Sequence, residues 1–193
     1  IGAQGDDHGQ RADDHRGQRP AGALDRRGER QVVEEVADRA EFDRVDPVRA
    51  GEPAQLARAL GGKTLSPFFE EKGSLIGLRT RTRVAREVLR AKVSAATGAP
   101  AKLLPGGPEV CRAIGIVTGG AGSELRRAAA AGVDTFITGE GPHWTFALAE
   151  ELGLNVIYGG HYATETFGVK ALAAHLAAKF RVPWTFVDHP SGL

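Results

Sequence analysis

The stretch Val110-Cys111-Arg112-Ala113-Ile114-Gly115-Ile116-Val117-Thr118, running straight into Gly119-Gly120-Ala121-Gly122, decides the fold. Apolar and β-branched residues fill the first part, as a buried strand requires, and the glycines let the backbone turn sharply. Ser123 is placed to cap a helix expected over Glu124 to Ala131, which Gly132 ends. Strand, glycine loop and helix open a βαβ crossover, and the pattern recurs downstream. Val133 to Thr138 (VDTFIT) reads as the next strand, Gly139-Glu140-Gly141-Pro142 as a turn with Pro142 at a first helical position, and His143 to Leu152 as a helix stopped by Gly153. Leu154 to Tyr158 is a further strand, followed by Gly159-Gly160-His161 and a helix from about Ala163 to Phe180. Val182 to Asp188 (VPWTFVD) closes the series as a strand whose Pro183 places it at an edge or a strand start. Strands alternating with helices predict an α/β fold with a largely parallel or mixed sheet flanked by helices.

Upstream the text is less regular. Pro53 to Leu60 (PAQLARAL) predicts a short helix ended by Gly61-Gly62, and Lys63 to Gly77 predicts a loop with a short extended piece at Ser74 to Leu78. Arg79 to Thr97 places Val84, Val88, Leu89 and Val93 at three- and four-residue intervals, which predicts an amphipathic helix ended by Gly98 and Pro100. Lys102 to Leu104 is a short strand candidate. From Ile1 to about Gly51, Gly, Arg, Asp, Gln and His dominate and large apolar residues are scarce, so this segment cannot build a core. Its near repeat Asp6-Asp7-His8-Gly9 and Asp13-Asp14-His15-Arg16 reads as low-complexity text rather than a metal tract. The division expected is a low-complexity segment over 1–52, disordered or the product of a shifted reading frame, a helical connecting region over 53–100, and an α/β metal-site domain over 101–193.

Composition narrows the function classes. With 25 basic against 24 acidic side chains there is no electrostatic case for nucleic acid or an anionic membrane surface. No apolar run approaches the roughly 20 residues that span a bilayer, and no secretory leader is legible. A single cysteine, Cys111, suits a buried thiol in a reducing compartment, so the cytoplasm is the expected location. Trp144 and Trp184 are read as core or subunit-contact residues, and His175 and His189 as structural.

The polar residues gather where parallel strands would end. The loops 119–123, 139–143 and 159–165 then lie along one edge of the sheet, where sites form in open α/β folds. The first has neither the Walker nor the G-x-G-x-x-G spacing, so nucleotide binding through it, with Asp134 as the ribose ligand, is disfavoured. The second brings Glu140, a candidate proton acceptor for metal-bound water or a charge complementing the helix dipole. The third carries His161 and Glu165, which share one face if the segment is helical. That is a metal-ligand spacing, although such pairs also occur as solvated helix contacts. Imidazole with carboxylate suits zinc, manganese or iron better than calcium or magnesium. Two ligands do not complete a site.

Val133-Asp134-Thr135-Phe136-Ile137-Thr138-Gly139-Glu140, Gly159-Gly160-His161-Tyr162-Ala163-Thr164-Glu165 and Phe186-Val187-Asp188-His189-Pro190 resemble the C-terminal signatures of the Nif-three-like dinuclear metal-centre proteins, also called GTP cyclohydrolase type 2 homologues. The resemblance covers roughly Gln55 to Leu193. It implies a cytoplasmic, often hexameric ring of two-domain α/β subunits with two divalent metals per complete site. Within that family His161 and Glu165 correspond to metal ligands, and Glu140 lines the same cavity. The activity implied is that of a metal-dependent hydrolase acting on GTP or another small molecule, with a non-catalytic metal-stabilised scaffold or partner-binding protein as the alternative. The family's remaining ligands, an adjacent His-His pair and a later Asp in its N-terminal half, have no match before Pro53, so half of the dinuclear site is legible here.

Overall fold

A computed structural model describes residues 51–71 and 73–190. The readings made for the N-terminal segment, up to residue 50, lie outside the described residues. The elements in chain order are α1 (Glu52–Ala59), β1 (Leu65–Pro67), β2 (Glu70–Glu71), β3 (Ser74–Leu75), β4 (Leu78–Ala85), α2 (Arg86–Thr97), β5 (Lys102–Pro105), β6 (Val110–Ile116), a 3-10 turn (Ala121–Glu124), α3 (Leu125–Ala130), β7 (Thr135–Thr138), α4 (Thr145–Leu152), β8 (Asn155–Tyr158) and α5 (His161–Phe180).

The main sheet has six strands in the order β1-β4-β6-β7-β8-β5. Its centre, β6 to β7 to β8, is parallel, with Ile114 opposite Thr135 and Thr135 opposite Asn155. β4 adds antiparallel to β6, β1 antiparallel to β4, and β5 antiparallel to β8 on the far edge. The sheet is therefore mixed, and its parallel character is confined to the strands that carry the glycine loops. β2 and β3 form a separate hairpin.

Alternation along the central strands feeds two cores. Phe136 and Val156 turn to one face and pack with Leu125, Ala128, Leu148 and Ala149 of α3 and α4, while Ile137 and Ile157 turn to the other and pack with Leu56, Leu89 and Val93 of α1 and α2. Successive strand residues point to opposite faces, so a strand covered by helices on both sides buries every position; the polar ones here, Thr135, Thr138 and Asn155, are hydrogen-bonded. Each fully buried Phe, Leu, Ile or Val contributes about 1.5–3 kcal/mol of transfer free energy.

Several expectations need correction. The helix expected over Arg79 to Thr97 begins only at Arg86, and Leu78–Ala85 is a strand along β6. Leu78 and Thr80 are buried while Arg79 and Arg81 are exposed, a period of two that the arginines obscure. The helix expected from His143 starts at Thr145, and that expected from Ala163 starts at His161. Ser123 caps nothing: a 3-10 turn precedes α3, and neither start has a side-chain cap. The strand expected over Val182 to Asp188 is absent. Residues 182–190 have no regular structure and run beside α5, where the Tyr162 hydroxyl donates to Asp188 Oδ1 and accepts from the His189 backbone N–H. Trp144 and Trp184 are 52% and 44% exposed, so neither belongs to the core. Cys111 is fully buried, as expected.

Candidate functional site

The glycine loops meet at the C-terminal ends of β6, β7 and β8, and their backbones bond to one another. The Gly139 N–H donates to the Gly119 carbonyl at 2.8 Å, the Gly160 N–H to the Gly139 carbonyl at 2.9 Å, and the Gly122 N–H to the Glu140 carbonyl at 3.0 Å. Thr164 adds a side-chain tie: its hydroxyl accepts from the Gly119 N–H at 3.1 Å. Thr138 supplies another, its hydroxyl donating to the Gly119 carbonyl at 3.0 Å.

Such close approach explains the glycines. Gly119 has φ +71°, and a Cβ there would stand 2.5 Å from Glu165 Oε1. A Cβ on Gly139 would meet the His161 Cα at 2.7 Å. Gly139 needs the absence of a side chain, because the helix that carries the site begins against it, whereas Gly119 is required chiefly by its positive φ. Gly160, with φ +91°, turns the chain so that His161 becomes the first residue of α5.

His161 stands between two carboxylates. Its Nδ1 lies 2.8 Å from Glu140 Oε1, and its Nε2 lies 3.3 Å from Glu165 Oε2, one helical turn on. The hydrogen bond to Glu140 is the main reason the imidazole keeps its proton above the ordinary value of 6.5; partial burial opposes this and the Glu165 charge adds to it. All three sequence-predicted site residues are thus brought together, with side chains roughly half exposed. His143, His175 and His189 are exposed and take no part in this cluster.

Among the described residues, no group of three or more His, Cys, Asp or Glu is arranged to hold a metal ion. The donor chemistry nevertheless suits two ligands of one ion. The 3.3 Å between His161 Nε2 and Glu165 Oε2 matches the edge of about 3.4 Å that two ligands span at zinc bond lengths of about 2.1 Å. Glu140, against the other ring nitrogen, lies outside that pair.

Sequence reading missed several supporting residues. Tyr158, half-buried, shares a 2.7 Å hydrogen bond with Thr145, whose hydroxyl donates to the Pro142 carbonyl at 2.6 Å. Glu52 accepts from the Thr118 hydroxyl at 3.2 Å. Burial raises the Glu52 carboxyl above its ordinary range, the Thr118 hydrogen bond opposes this, and the Glu165 charge adds to it. Nothing in their local sequence marks these residues, since each acts through an element distant in the chain. A cavity of about 260 Å³, lined in part by Lys102, Glu140, His143, Phe146 and Tyr158, adjoins the site through Glu140.

The sequence profile of Duf34/NIF3 (NGG1p interacting factor 3) matches residues 43–191. A Deinococcus radiodurans protein named GTP cyclohydrolase 1 type 2 homolog is 38% identical over 145 residues, 74% of this chain and 55% of the relative. A Halobacterium salinarum protein of the same name is 39% identical over 148 residues, 74% of this chain and 58% of the relative. The chain thus spans a little over half the length of these relatives. Among solved structures, protein ybgI, described as of unknown function, aligns with a TM-score of 0.67 at 34% identity, over 75% of this chain and 60% of its own. TTHA1606 from Thermus thermophilus aligns with a TM-score of 0.66 at 39% identity, over 75% and 57%. The matched span includes every element that builds the cluster around His161, and the chain belongs to the Duf34/NIF3 (NGG1p interacting factor 3) family.

Proposed function

We propose that His161 and Glu165 are ligands of a divalent-metal centre, dinuclear when complete, and that the protein is a metal-dependent hydrolase of a small-molecule substrate. The supporting observation is the 3.3 Å separation of His161 Nε2 and Glu165 Oε2 at the loop edge of the parallel strands. Zinc, manganese or iron suits this pair, and an ion bound there supplies Lewis acidity and a water that ionises near neutral pH. The chain's own residues hold the ion from one side: α5 presents both donors on one face, and the glycine loops leave room for them. GTP is the first substrate to try, because the relatives carry the name GTP cyclohydrolase 1 type 2 homolog. A hexamer is the proposed assembly, as the family resemblance implies, and the buried Cys111 suits the cytoplasm.

Elemental analysis of the purified full chain tests this reading. Weakly held metal is expected in the wild type, because two ligands do not complete a site, and it is lost in His161→Ala; equal metal content in the two proteins would sink the ligand assignment. Bound metal in an assembled ring that leaves GTP unconsumed would instead favour a non-catalytic, metal-stabilised scaffold.

A further inference from the structure

Sequence reading casts Glu140 as proton acceptor for a metal-bound water, but its carboxylate is placed against the histidine. We propose that Glu140 is a positioning residue: it holds the His161 proton on Nδ1 and fixes the ring, so that the Nε2 lone pair faces Glu165. This rests on the reading of His161 as a ligand and adds a residue to it.

Four observations converge. Glu140 Oε1 lies 2.8 Å from His161 Nδ1, from a loop 21 residues away in sequence. Among the described residues, no other side chain bonds that carboxylate. The main chain of Glu140 is held on both sides, its N–H donating to the Gly119 carbonyl at 3.2 Å and its carbonyl accepting from the Gly122 N–H at 3.0 Å. The loop beyond it is clamped as well: the Tyr158 hydroxyl packs against Gly141 too closely for any side chain there, and the Tyr158 to Thr145 to Pro142 chain of hydrogen bonds ties the loop to β8 and α4.

A neutral imidazole has one ring proton, and free histidine prefers it on Nε2, the nitrogen nearest Glu165 here. Glu165 also accepts at Nε2, but at 3.3 Å, whereas the Glu140 carboxylate is 2.8 Å from Nδ1; the shorter bond holds the proton on Nδ1, orients the ring and makes the other nitrogen a better donor to a metal. An exposed ion pair without this role would add little to the stability of the fold and would leave tautomer and metal affinity unchanged.

The test combines nitrogen NMR of the His161 ring in metal-free protein, above the pH at which the ring titrates, with zinc titration of the full chain. Wild type is expected to carry the proton on Nδ1. In Glu140→Ala the proton moves to Nε2 and zinc binds about 10- to 100-fold more weakly. Glu140→Gln, whose amide oxygen still accepts, keeps the Nδ1 proton and loses less affinity. A wild-type proton on Nε2, or an Ala variant in which either readout stays unchanged, would overturn the proposal. Zinc uptake unaffected by His161→Ala would remove the ligand reading alone, leaving the tautomer result to report on Glu140.

Discussion

The Asp134 carboxylate bridges two strands: Oδ2 accepts from the backbone N–H groups of Arg112 and Ala113, each at 2.9 Å, just where β6 and β7 begin to pair. Its neighbour Thr135 donates to Oδ1 at 2.8 Å, so one side chain satisfies several donors at the start of the parallel core. Asp134→Ala is expected to lose about 1–3 kcal/mol of stability, since it leaves the part-buried Ala113 N–H and Thr135 hydroxyl without this acceptor. Urea unfolding followed by circular dichroism checks this, with Asp134→Asn losing less; an unshifted midpoint in both would show that water replaces the carboxylate.

Two left-handed glycines separate the demands of the backbone from those of the site. A Cβ on Gly132, with φ +76°, would have nothing within 4 Å, whereas at Gly119, with φ +71°, that atom would press on Glu165. Gly132→Ala should therefore cost only the backbone strain, about 1–2 kcal/mol. Gly119→Ala should cost at least as much and also weaken zinc binding. Equal zinc affinity in the two variants would mean that Glu165 moves aside freely.

Glu52 gives a pH dependence with a definite sign. Burial holds its carboxyl above the ordinary value of 4.5, so in the window above 4.5 the folded chain binds this proton more tightly than the unfolded chain does. The group's contribution therefore becomes more favourable as pH falls through the raised folded value, and it is unfavourable at neutral pH. Glu52→Gln, which keeps an acceptor for Thr118, is expected to be more stable than wild type at neutral pH, with the difference shrinking in acid. Stability curves of the two proteins across this range would contradict the assignment if they stayed parallel.

Cys111 is fully buried, and burial pushes its thiol above the ordinary range. A buried, protonated thiol is a poor nucleophile. Labelling by a disulfide reagent is expected to be slow in the folded chain and rapid in denaturant, with a native-state rate that tracks unfolding. Rapid labelling in native buffer would show that β6 opens locally.

Much of the fold can be read from local text because the central strands are apolar on both faces and each ends in glycine. Phe136 with Ile137, and Val156 with Ile157, need two cores, and only helices on both sides of the sheet provide them. β4 was illegible for the opposite reason. Arg79-Thr80-Arg81-Thr82-Arg83 has no apolar run, and its strand state comes from pairing with β6. The VPWTFVD tail misleads in the other direction: its β-branched and aromatic residues suit a strand, but the structure ties it to α5 through Tyr162, with Lys170 over the Phe186 ring.

The site divides along the same line. The spacing of His161 and Glu165 is set by helix geometry, so four residues of sequence were enough to place both on one face. Glu140 is 21 residues from His161, and their 2.8 Å contact depends on β7 and β8 lying side by side with their loops bonded together. By itself the sequence determined a parallel α/β core with a histidine–carboxylate pair at its loop edge. Only the tertiary structure decided which carboxylate faces which ring nitrogen, because that depends on strand pairing, a long-range contact that local periodicity does not encode.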